Sequence, residues 1–175
     1  MKVPRPTAER VRELFSYDPL TGIFTRLVKT NNRVEVGESC HYFSKGDGYL
    51  RISIDGRQHL GHRLAWLYMT GEWPADEVDH RDADRANNRW ANLRDVTAAI
   101  NSQNKRQARV DNRSCGLLGV TFDKSRSRRP WVAQIGLIHD DGQFRNIRIG
   151  RFETPELAHQ AYVARKRALH VGCTI

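Results

Sequence analysis

The polar stretch RDADRANNRWAN, residues 81–92, limits the fold of this chain more than any other segment. It is too polar and too rich in short amides to form an amphipathic helix or a half-buried strand, so it is predicted to be a loop. Residues 77–80, EVDH, predict a short strand before the loop, and Leu93 anchors the loop at its end. Thr97 is predicted to cap a helix that runs to about Arg109. The order strand, loop, strand remnant and helix therefore defines one compact unit.

The region before this unit, residues 1–61, is predicted to be a small α/β mixture of one helix and hairpins. Residues 7–16, TAERVRELFS, predict a short helix capped by Thr7. The residues on its apolar face are Val11, Leu14 and Phe15. The turn sequence DPLTG, residues 18–22, then precedes a strand with the sequence IFTRLV.

A hairpin and a helix link this region to the polar loop. YLRISIDGRQHLG alternates apolar and polar residues about Asp55-Gly56, a two-residue turn sequence typical of hairpins. HRLAWLYMTG follows as a helix of about two turns, which Gly71 ends and Pro74 prevents from continuing. His62 in this helix is left with two interpretations, a hydrogen-bonded core residue or a residue that contacts substrate.

The last third of the chain predicts a three-stranded antiparallel sheet packed on one C-terminal helix. The segments GVTF, WVAQIGLI and FRNIRIGRF are rich in β-forming residues, and Asp141-Gly142 predicts a turn between the last two. Thr154 and Pro155 are predicted to begin the final helix as its cap and its first residue. The fold class is α+β, and the predicted domains are an N-terminal region 1–61, a loop unit 62–108, a linker 109–116 and a sheet domain 117–175.

The charge of the chain indicates a polyanionic partner. Its net charge is +9 and its isoelectric point is near 9.9, and clustered lysines and arginines release counterions from a phosphate backbone. The net charge is +3 over residues 1–61, 0 over residues 62–112 and +6 over residues 113–175. A middle region that contains many carboxylates, between two basic regions, suits a protein that brings a cation to a phosphate.

Other classes of protein fit the composition poorly. No apolar run approaches the roughly 18 residues of a membrane span. The N-terminus has no secretory signal, so the chain is expected in the cytoplasm. The three cysteines, Cys40, Cys115 and Cys173, are far apart and form no CxxC pair, which argues against a disulfide framework and a four-thiolate zinc site.

Four residues in and around the loop have the chemistry that phosphodiester cleavage requires, which is a base, a cation site and rigid placement of both. The carboxylate of Asp79 suits a divalent ion such as Mg²⁺, and a neutral His80 suits removal of a proton from water. The amide oxygen of Asn101, on the following helix, is predicted to be the second ligand of the ion. Asn92, just before the anchoring Leu93, is predicted to hold the loop.

Residues 78–104, VDHRDADRANNRWANLRDVTAAINSQN, resemble the HNH nuclease motif, the strand-loop-helix unit called ββα-metal, in the form seen in phage and intron-encoded endonucleases. The resemblance implies four functional positions, which are the metal ligands Asp79 and Asn101, the general base His80 and the loop brace Asn92. Asn104, about one helical turn after Asn101, is left open as the alternative helix ligand.

Residues 119–170 resemble the DNA-binding domain of plant ethylene-response factors, the APETALA type, which phage HNH nucleases often carry behind the nuclease. The resemblance implies that one face of the sheet enters the DNA major groove while the helix covers the other face. Alternation along the second strand directs Val132, Gln134 and Gly136 outward, and the strand is expected to lose its pairing at Gly136. Base edges are predicted to contact Gln134, Asn146 and Arg148, and phosphates to contact Thr121, Lys124, Arg126, Arg128, Arg129 and Arg145.

Together these features predict a metal-dependent HNH DNA endonuclease with one Mg²⁺ or Mn²⁺ ion per active site and double-stranded DNA as its partner. It is expected to hydrolyse phosphodiester bonds to 5′-phosphate and 3′-hydroxyl ends, by nicking or by cutting both strands. A phage homing endonuclease in the cytoplasm of a bacterial host is one role of this architecture. Flanking phosphates are expected to contact Arg81, Arg94, Lys105 and Arg106.

Two alternatives stay open at the level of the sequence. One is a catalytically silent, sequence-specific DNA-binding regulator, and the other is a terminase-associated DNA-processing factor. The target sequence and the choice between monomer and dimer are also open.

Overall fold

The computed structural model describes residues 4–30, 34–103, 108, 114–126, 128–138, 143–170 and 173. Over these residues the protein is a mixture of four α-helices and several small sheets, so the predicted α+β class is confirmed. The chain divides into two compact units, Met1–Ala98 and Ala99–Ile175. None of the helices in the described ranges is long and apolar enough to cross a membrane.

The first unit begins with helix α1, Ala8–Leu14, and the Oγ1 atom of its cap Thr7 accepts a hydrogen bond from the backbone N–H of Arg10. Strand β1, Phe15–Asp18, follows at once and pairs antiparallel with β2, Ile23–Arg26. The prediction that Phe15 lies on the helix is therefore wrong. Its backbone is extended because it pairs with Arg26, and this pairing places its ring in the core, edge-on to Phe24.

The predicted hairpin about Asp55-Gly56 is confirmed. Strands β3, Tyr42–Phe43, β4, Leu50–Ile54, and β5, Arg57–Leu60, form an antiparallel sheet in that order. Both turn residues have positive φ, 47° at Asp55 and 78° at Gly56, as a tight two-residue turn requires. Helix α2, Gly61–Thr70, follows directly and ends at Gly71, whose φ of 86° is left-handed.

The polar loop lies between two paired strands, as predicted. Strand β6, Glu77–His80, pairs antiparallel with β7, Leu93–Val96, and a short 3-10 turn, Trp90–Asn92, precedes β7. Helix α3 then spans Ala98–Gln103. The predicted continuation of this helix towards Arg109 lies largely outside the described residues.

One hydrophobic core holds the elements of the first unit together. It combines residues of α1, β1 and β2 with Val78 of β6 and Leu93 of β7, the two strands that flank the polar loop. These strands therefore share one core with the N-terminal elements. The buried members are Ala8, Val11, Leu14, Phe15, Tyr17, Phe24, Ile52, Ile54, Leu64, Ala65, Leu67, Val78 and Leu93.

The second unit is a three-stranded antiparallel sheet covered by a helix. Strands β8, Val120–Phe122, β9, Trp131–Ile138, and β10, Phe144–Phe152, pair in the order β10-β9-β8. Helix α4, Pro155–Leu169, has the predicted cap, because Thr154 accepts a hydrogen bond from the backbone N–H of Leu157. The buried residues of its core are Val120, Ala133, Ile135, Ala158 and Tyr162. The predicted Asp141-Gly142 turn lies outside the described residues.

Two details of this sheet differ from the prediction. Strand β9 keeps its pairing at Gly136, which lies opposite Asn146. The ring of Phe144 lies over Gly136, and a Cβ atom on Gly136 would lie 2.2 Å from its Cζ, so a larger residue there would displace this exposed ring. Val132, predicted to face outward, is only 6% exposed although it is not part of the core beneath α4.

Candidate active site

Strand β6 holds Asp79 and His80 in buried positions. Neighbouring residues of a strand point to opposite faces, yet Asp79 is 7% exposed and His80 only 3%, so both faces of β6 are covered here. The pairing with β7 places Asp79 opposite Arg94 and His80 opposite Leu93. Two polar side chains are thereby fixed at the point where the strand enters the polar loop.

Arg94 forms an ion pair with Asp79. The Nε and Nη2 atoms of Arg94 lie 3.0 and 2.7 Å from Oδ2 of Asp79, and both donate to it. Such charge-assisted bonds are strong where water is largely excluded. The arginine that the sequence predicts at a DNA phosphate therefore contacts the carboxylate that the sequence predicts at the metal.

The ring of His80 is oriented by Asn88, a residue that the sequence prediction missed. The Nε2 atom of His80 lies 3.0 Å from the Oδ1 atom of Asn88, and both side chains are buried. An amide oxygen only accepts hydrogen bonds, so Nε2 carries the proton and donates it to Asn88. The other ring nitrogen, Nδ1, then keeps its lone pair, as a proton acceptor requires.

Burial lowers the pKa of His80 below its ordinary value of 6.5. The hydrogen bond to Asn88 and the nearby carboxylates of Asp82, Asp79 and Asp84 oppose this effect, but burial is the largest cause. The imidazole is therefore neutral at pH 7. A neutral ring with Nε2 protonated is the form in which His80 can accept a proton on Nδ1.

The asparagines and aspartates of the loop bond one another and the loop backbone. The Oδ1 atom of Asn92 accepts from the backbone N–H of Asp82 at 3.1 Å. Its Nδ2 atom donates to Oδ1 of Asp82 at 2.9 Å and to the carbonyl of Asn87 at 2.8 Å. Asp82 also accepts from the backbone of Asp84, whose own carboxylate accepts from the backbone of Ala86. The short amides and carboxylates thus replace the hydrogen bonds of regular structure over this segment.

Two further aromatic residues border His80. The ring of His62 lies 4.9 Å from that of His80 at an interplanar angle of 77°, and Tyr49 lies 4.9 Å from His62 and 6.0 Å from His80. His62 is 4% exposed, and its Nδ1 atom is buried without a hydrogen-bond partner. His62 is thus buried beside the candidate base, and the hydrogen bond that a core histidine normally makes is absent from its Nδ1.

We expect His62 to make the protein sensitive to acid. Burial, together with the charges of His80, Arg63 and Arg51, lowers the pKa of His62 to about 3. Above pH 6.5 the residue is neutral in both folded and unfolded chains, whereas between pH 6.5 and about 3 only the unfolded chain takes up the proton. The free energy of unfolding should therefore fall by up to about 1.4 kcal/mol per pH unit over this window because of this residue.

Urea unfolding of the wild type and of His62→Phe at pH 7, 6, 5 and 4 measures this effect. The variant should lose stability less steeply with falling pH than the wild type. Equal slopes for the two proteins would contradict the assignment.

The remaining residues predicted at the active site are distributed as follows. Asn101 is half-buried on α3 and belongs to the second unit. Arg81 is exposed at the start of the loop, where its backbone N–H donates to the carbonyl of Asn92. Asn104, Lys105 and Arg106 lie outside the described residues. Within the described ranges no group of three His, Cys, Asp or Glu side chains could hold a metal ion.

The predicted DNA-contacting side chains of the second unit lie mostly at its surface. Gln134 is half-buried and lies directly opposite the exposed Arg148 on the neighbouring strand. Two aromatic rings, Phe122 and Phe144, are 46% and 66% exposed. The other exposed members of the predicted set are Thr121, Lys124, Arg126, Arg128, Arg129, Arg145 and Asn146.

Asn88 and the partner of Arg94 were missed because sequence spacing does not show which loop amide reaches back to the strand. Three asparagines share the loop, and no pattern in the sequence distinguishes the one that contacts His80. The ion pair depends on the register of β6 against β7. The alternation of side chains along β6 and β7, compared between the two strands, was the signal that could have paired Asp79 with Arg94.

Comparison with known proteins finds a similarity in this segment. Residues 59–103, which run from the end of β5 through α2, β6, the polar loop and β7 to α3, match the family model described as HNH endonuclease. No curated protein and no solved structure matches the chain. The predicted C-terminal resemblance has no support from these comparisons. The matched segment contains Asp79, His80, Asn88 and Asn92, and its similarity to HNH endonucleases indicates a nuclease, a hydrolase that acts on DNA.

Proposed function

We propose that this protein is a divalent-metal-dependent DNA endonuclease in which His80 is the general base. The observation that carries the proposal is the hydrogen bond from Nε2 of His80 to Oδ1 of Asn88 in a buried site. It selects the tautomer in which Nδ1 is unprotonated, and burial lowers the pKa of the ring so that the imidazole is neutral at pH 7. The match of residues 59–103 to HNH endonucleases supports the same conclusion.

In this mechanism Nδ1 of His80 takes a proton from the water molecule that attacks the phosphorus atom. The P–O bond to the 3′ oxygen breaks, and this oxygen takes a proton from solvent, which gives 5′-phosphate and 3′-hydroxyl ends. His80 returns its proton to solvent. Asn88 prevents rotation of the imidazole and stabilises the ring as it becomes positively charged, since Nε2 remains a donor to an amide oxygen. The hydrogen bonds of Asn92 keep the loop, and hence Asn88, in place.

HNH nucleases generally require a divalent metal ion, and the chemistry of two side chains fits this requirement. Asp79 offers a carboxylate and Asn101 an amide oxygen, both hard ligands of the kind that Mg²⁺ and Mn²⁺ prefer, and we propose that they hold one such ion. The ion would supply positive charge to the phosphate oxygens. Arg94 contributes a second positive charge next to Asp79, whose carboxylate it orients through two hydrogen bonds.

The second unit is proposed to target the nuclease to double-stranded DNA. Its exposed lysine and arginine side chains suit contacts with phosphates, which position a protein without reading sequence. Gln134, Arg148 and Asn146 lie on two adjacent strands and offer amide and guanidinium groups of the kind that read base edges. This proposal keeps for the unit the DNA-binding role that the sequence analysis expects of it.

Incubation of supercoiled plasmid with the purified protein tests the proposed function. Relaxed or linear product in Mg²⁺ or Mn²⁺, and none in EDTA, is the expected result, and the ratio of the two products distinguishes nicking from double-strand cleavage. Plasmid and genomic DNA that stay intact with both ions, although the protein shifts them on a gel, would favour a DNA-binding regulator instead.

The substitution Asn88→Ala is expected to lower the rate of cleavage by about ten- to a hundredfold. It leaves the buried Nε2–H of His80 without an acceptor, which costs about 1–3 kcal/mol and removes the preference for the active tautomer. DNA affinity should change little, because Asn88 is 1% exposed and its side chain bonds His80 inside the protein.

The matched control is Asn87→Ala, which removes the neighbouring amide. The Nδ2 atom of Asn87 donates to Oδ2 of Asp82 at 2.6 Å, whereas Asn88 bonds the ring of His80. The rate of DNA cleavage is measured for both variants in single-turnover experiments at saturating enzyme. Equal losses for Asn87→Ala and Asn88→Ala would mean that Asn88 acts only through the shape of the loop.

A further inference from the structure

We infer that the hairpin formed by β1 and β2 is a positioning element of the active site, because it holds Asn88 in the place from which Asn88 orients His80. This hairpin, called here the buttress hairpin, spans residues 15–26 and lies outside the segment that matches HNH endonucleases. The inference rests on the proposed role of His80 as the base.

The buttress hairpin contacts the backbone of the polar loop at Asn88 and directly after it. The Oη atom of Tyr17 donates a buried hydrogen bond of 2.7 Å to the carbonyl of Asn88. The carbonyl of Pro19 accepts a hydrogen bond of 3.0 Å from the backbone N–H of Trp90. The two hydrogen bonds, made by Tyr17 and Pro19, thus fix the loop backbone from Asn88 to Trp90.

Gly22 of the buttress hairpin makes the closest approach to the loop. Its φ is +76°, and a Cβ atom there would lie 2.5 Å from the carbonyl carbon of Asn88 and 2.5 Å from the backbone nitrogen of Arg89. Only a glycine allows this contact. The backbone of Asn88 therefore rests directly on the turn of the hairpin.

Helix α2 confines the same residue from another direction. A Cβ atom on Gly61 would lie 2.7 Å from Nδ2 of Asn88, so the side chain rests against the first residue of the helix. Asn88 is consequently 1% exposed, with its backbone on the hairpin and its amide between Gly61 and His80. A shift of the hairpin would have to displace the amide relative to the imidazole.

The hairpin is itself rigid enough for this purpose. The carboxylate of Asp18 accepts from the backbone N–H of Leu20 at 2.9 Å and from the hydroxyl of Thr21 at 2.7 Å. The backbone carbonyl of Asp18 accepts from Gly22 at 2.8 Å. The ring of Tyr17 packs against Phe24 at a centroid distance of 4.7 Å. The turn is thus held by hydrogen bonds of its own in addition to its contacts with the loop.

The substitution Gly22→Ala tests the inference, with Gly56→Ala as the matched control. Both glycines lie in hairpin turns of the first unit at nearly the same φ, +76° and +78°, so both alanines carry the same backbone strain. Nothing lies within 4 Å of a Cβ atom on Gly56. Only Gly22→Ala pushes against Asn88.

We expect Gly22→Ala to lower kcat for DNA cleavage by about tenfold or more, with KM and DNA affinity nearly unchanged, because it affects the base and not the DNA contacts. Gly56→Ala should keep the wild-type kcat. In the ¹⁵N NMR spectrum of the protein without DNA, the His80 ring should show protonated Nε2 in the wild type and in Gly56→Ala. In Gly22→Ala this signature should weaken.

Tyr17→Phe is the second variant, since it removes one hydrogen bond, keeps the ring and is expected to fold if Gly22→Ala does not. It should lower kcat and shift the His80 signals in the same direction. If kcat and the His80 tautomer are the same in Gly22→Ala or Tyr17→Phe as in Gly56→Ala, the inference is overturned. A wild type that fails to cleave DNA with Mg²⁺ or Mn²⁺ would instead contradict the proposed function, and the NMR comparison would still decide the role of the hairpin.

Discussion

Replacing His80 with alanine is expected to lower the rate of DNA cleavage by about 10²- to 10⁴-fold, the range that a positioned general base contributes. The loss should appear in kcat, because His80 is buried and its proposed role is to act on the attacking water and not to bind the substrate. DNA affinity, measured by gel shift or fluorescence anisotropy in Ca²⁺ or EDTA, should remain close to that of the wild type. The removal of an imidazole that packs on His62 and Tyr49 will also lower stability, so activity is compared at a temperature at which both proteins are folded.

His41→Ala is the matched control for this experiment. His41 is a half-buried histidine of the same unit, and its Nε2 atom accepts a hydrogen bond from the backbone N–H of Phe24. Burial lowers the pKa of His41, as it lowers that of His80. It should retain wild-type cleavage. Cleavage that survives His80→Ala, or that falls equally in both variants, would remove His80 from the mechanism.

Replacing Asp79 with asparagine is expected to abolish metal-dependent cleavage and to destabilise the fold. Loss of the proposed ligand should lower the rate about 10²-fold or more, because the ion stabilises the developing negative charge of the transition state by several kcal/mol. The same change removes the negative partner of Arg94 at a site that is largely buried. Loss of one partner of a buried ion pair costs about 3–5 kcal/mol of unfolding free energy.

Arg94→Gln separates the two effects. It breaks the same ion pair and should cost a similar amount of stability, but it keeps the carboxylate of Asp79. Mn²⁺ binding, followed by electron paramagnetic resonance in the presence of DNA, should therefore be lost in Asp79→Asn and retained in Arg94→Gln. If both variants bind Mn²⁺ equally well, Asp79 is only the anchor of Arg94 and is not a ligand.

Local structure was predictable wherever one short pattern decides it. The Asp55-Gly56 turn needs two residues at positive φ, and the cap at Thr154 followed by proline defines where α4 begins. Phe15 shows the limit of this approach. It continues the apolar face of α1 in the sequence, but its pairing with the distant Arg26 decides its backbone conformation.

The residues of the site were harder to predict than the elements that carry them. Asp79 and His80 stand out by chemical type, so the sequence suffices to propose them. Asn88 does not, because its contact with His80 depends on the path of an irregular loop and on two glycines that let other segments approach it. Gly22 is 66 residues before Asn88, and no local pattern links the two positions.

The shared core of the first unit also limits how such a nuclease can be passed between genes. The segment similar to HNH endonucleases begins at residue 59, yet Val78 and Leu93, which flank the polar loop, pack in one cluster with Val11, Phe15 and other residues far upstream. A recombination that transferred only residues 59–103 would transfer the residues of the candidate site without the part of the hydrophobic core that α1, β1 and β2 supply. We therefore expect the smallest fragment that folds and cleaves DNA to include α1 and the buttress hairpin.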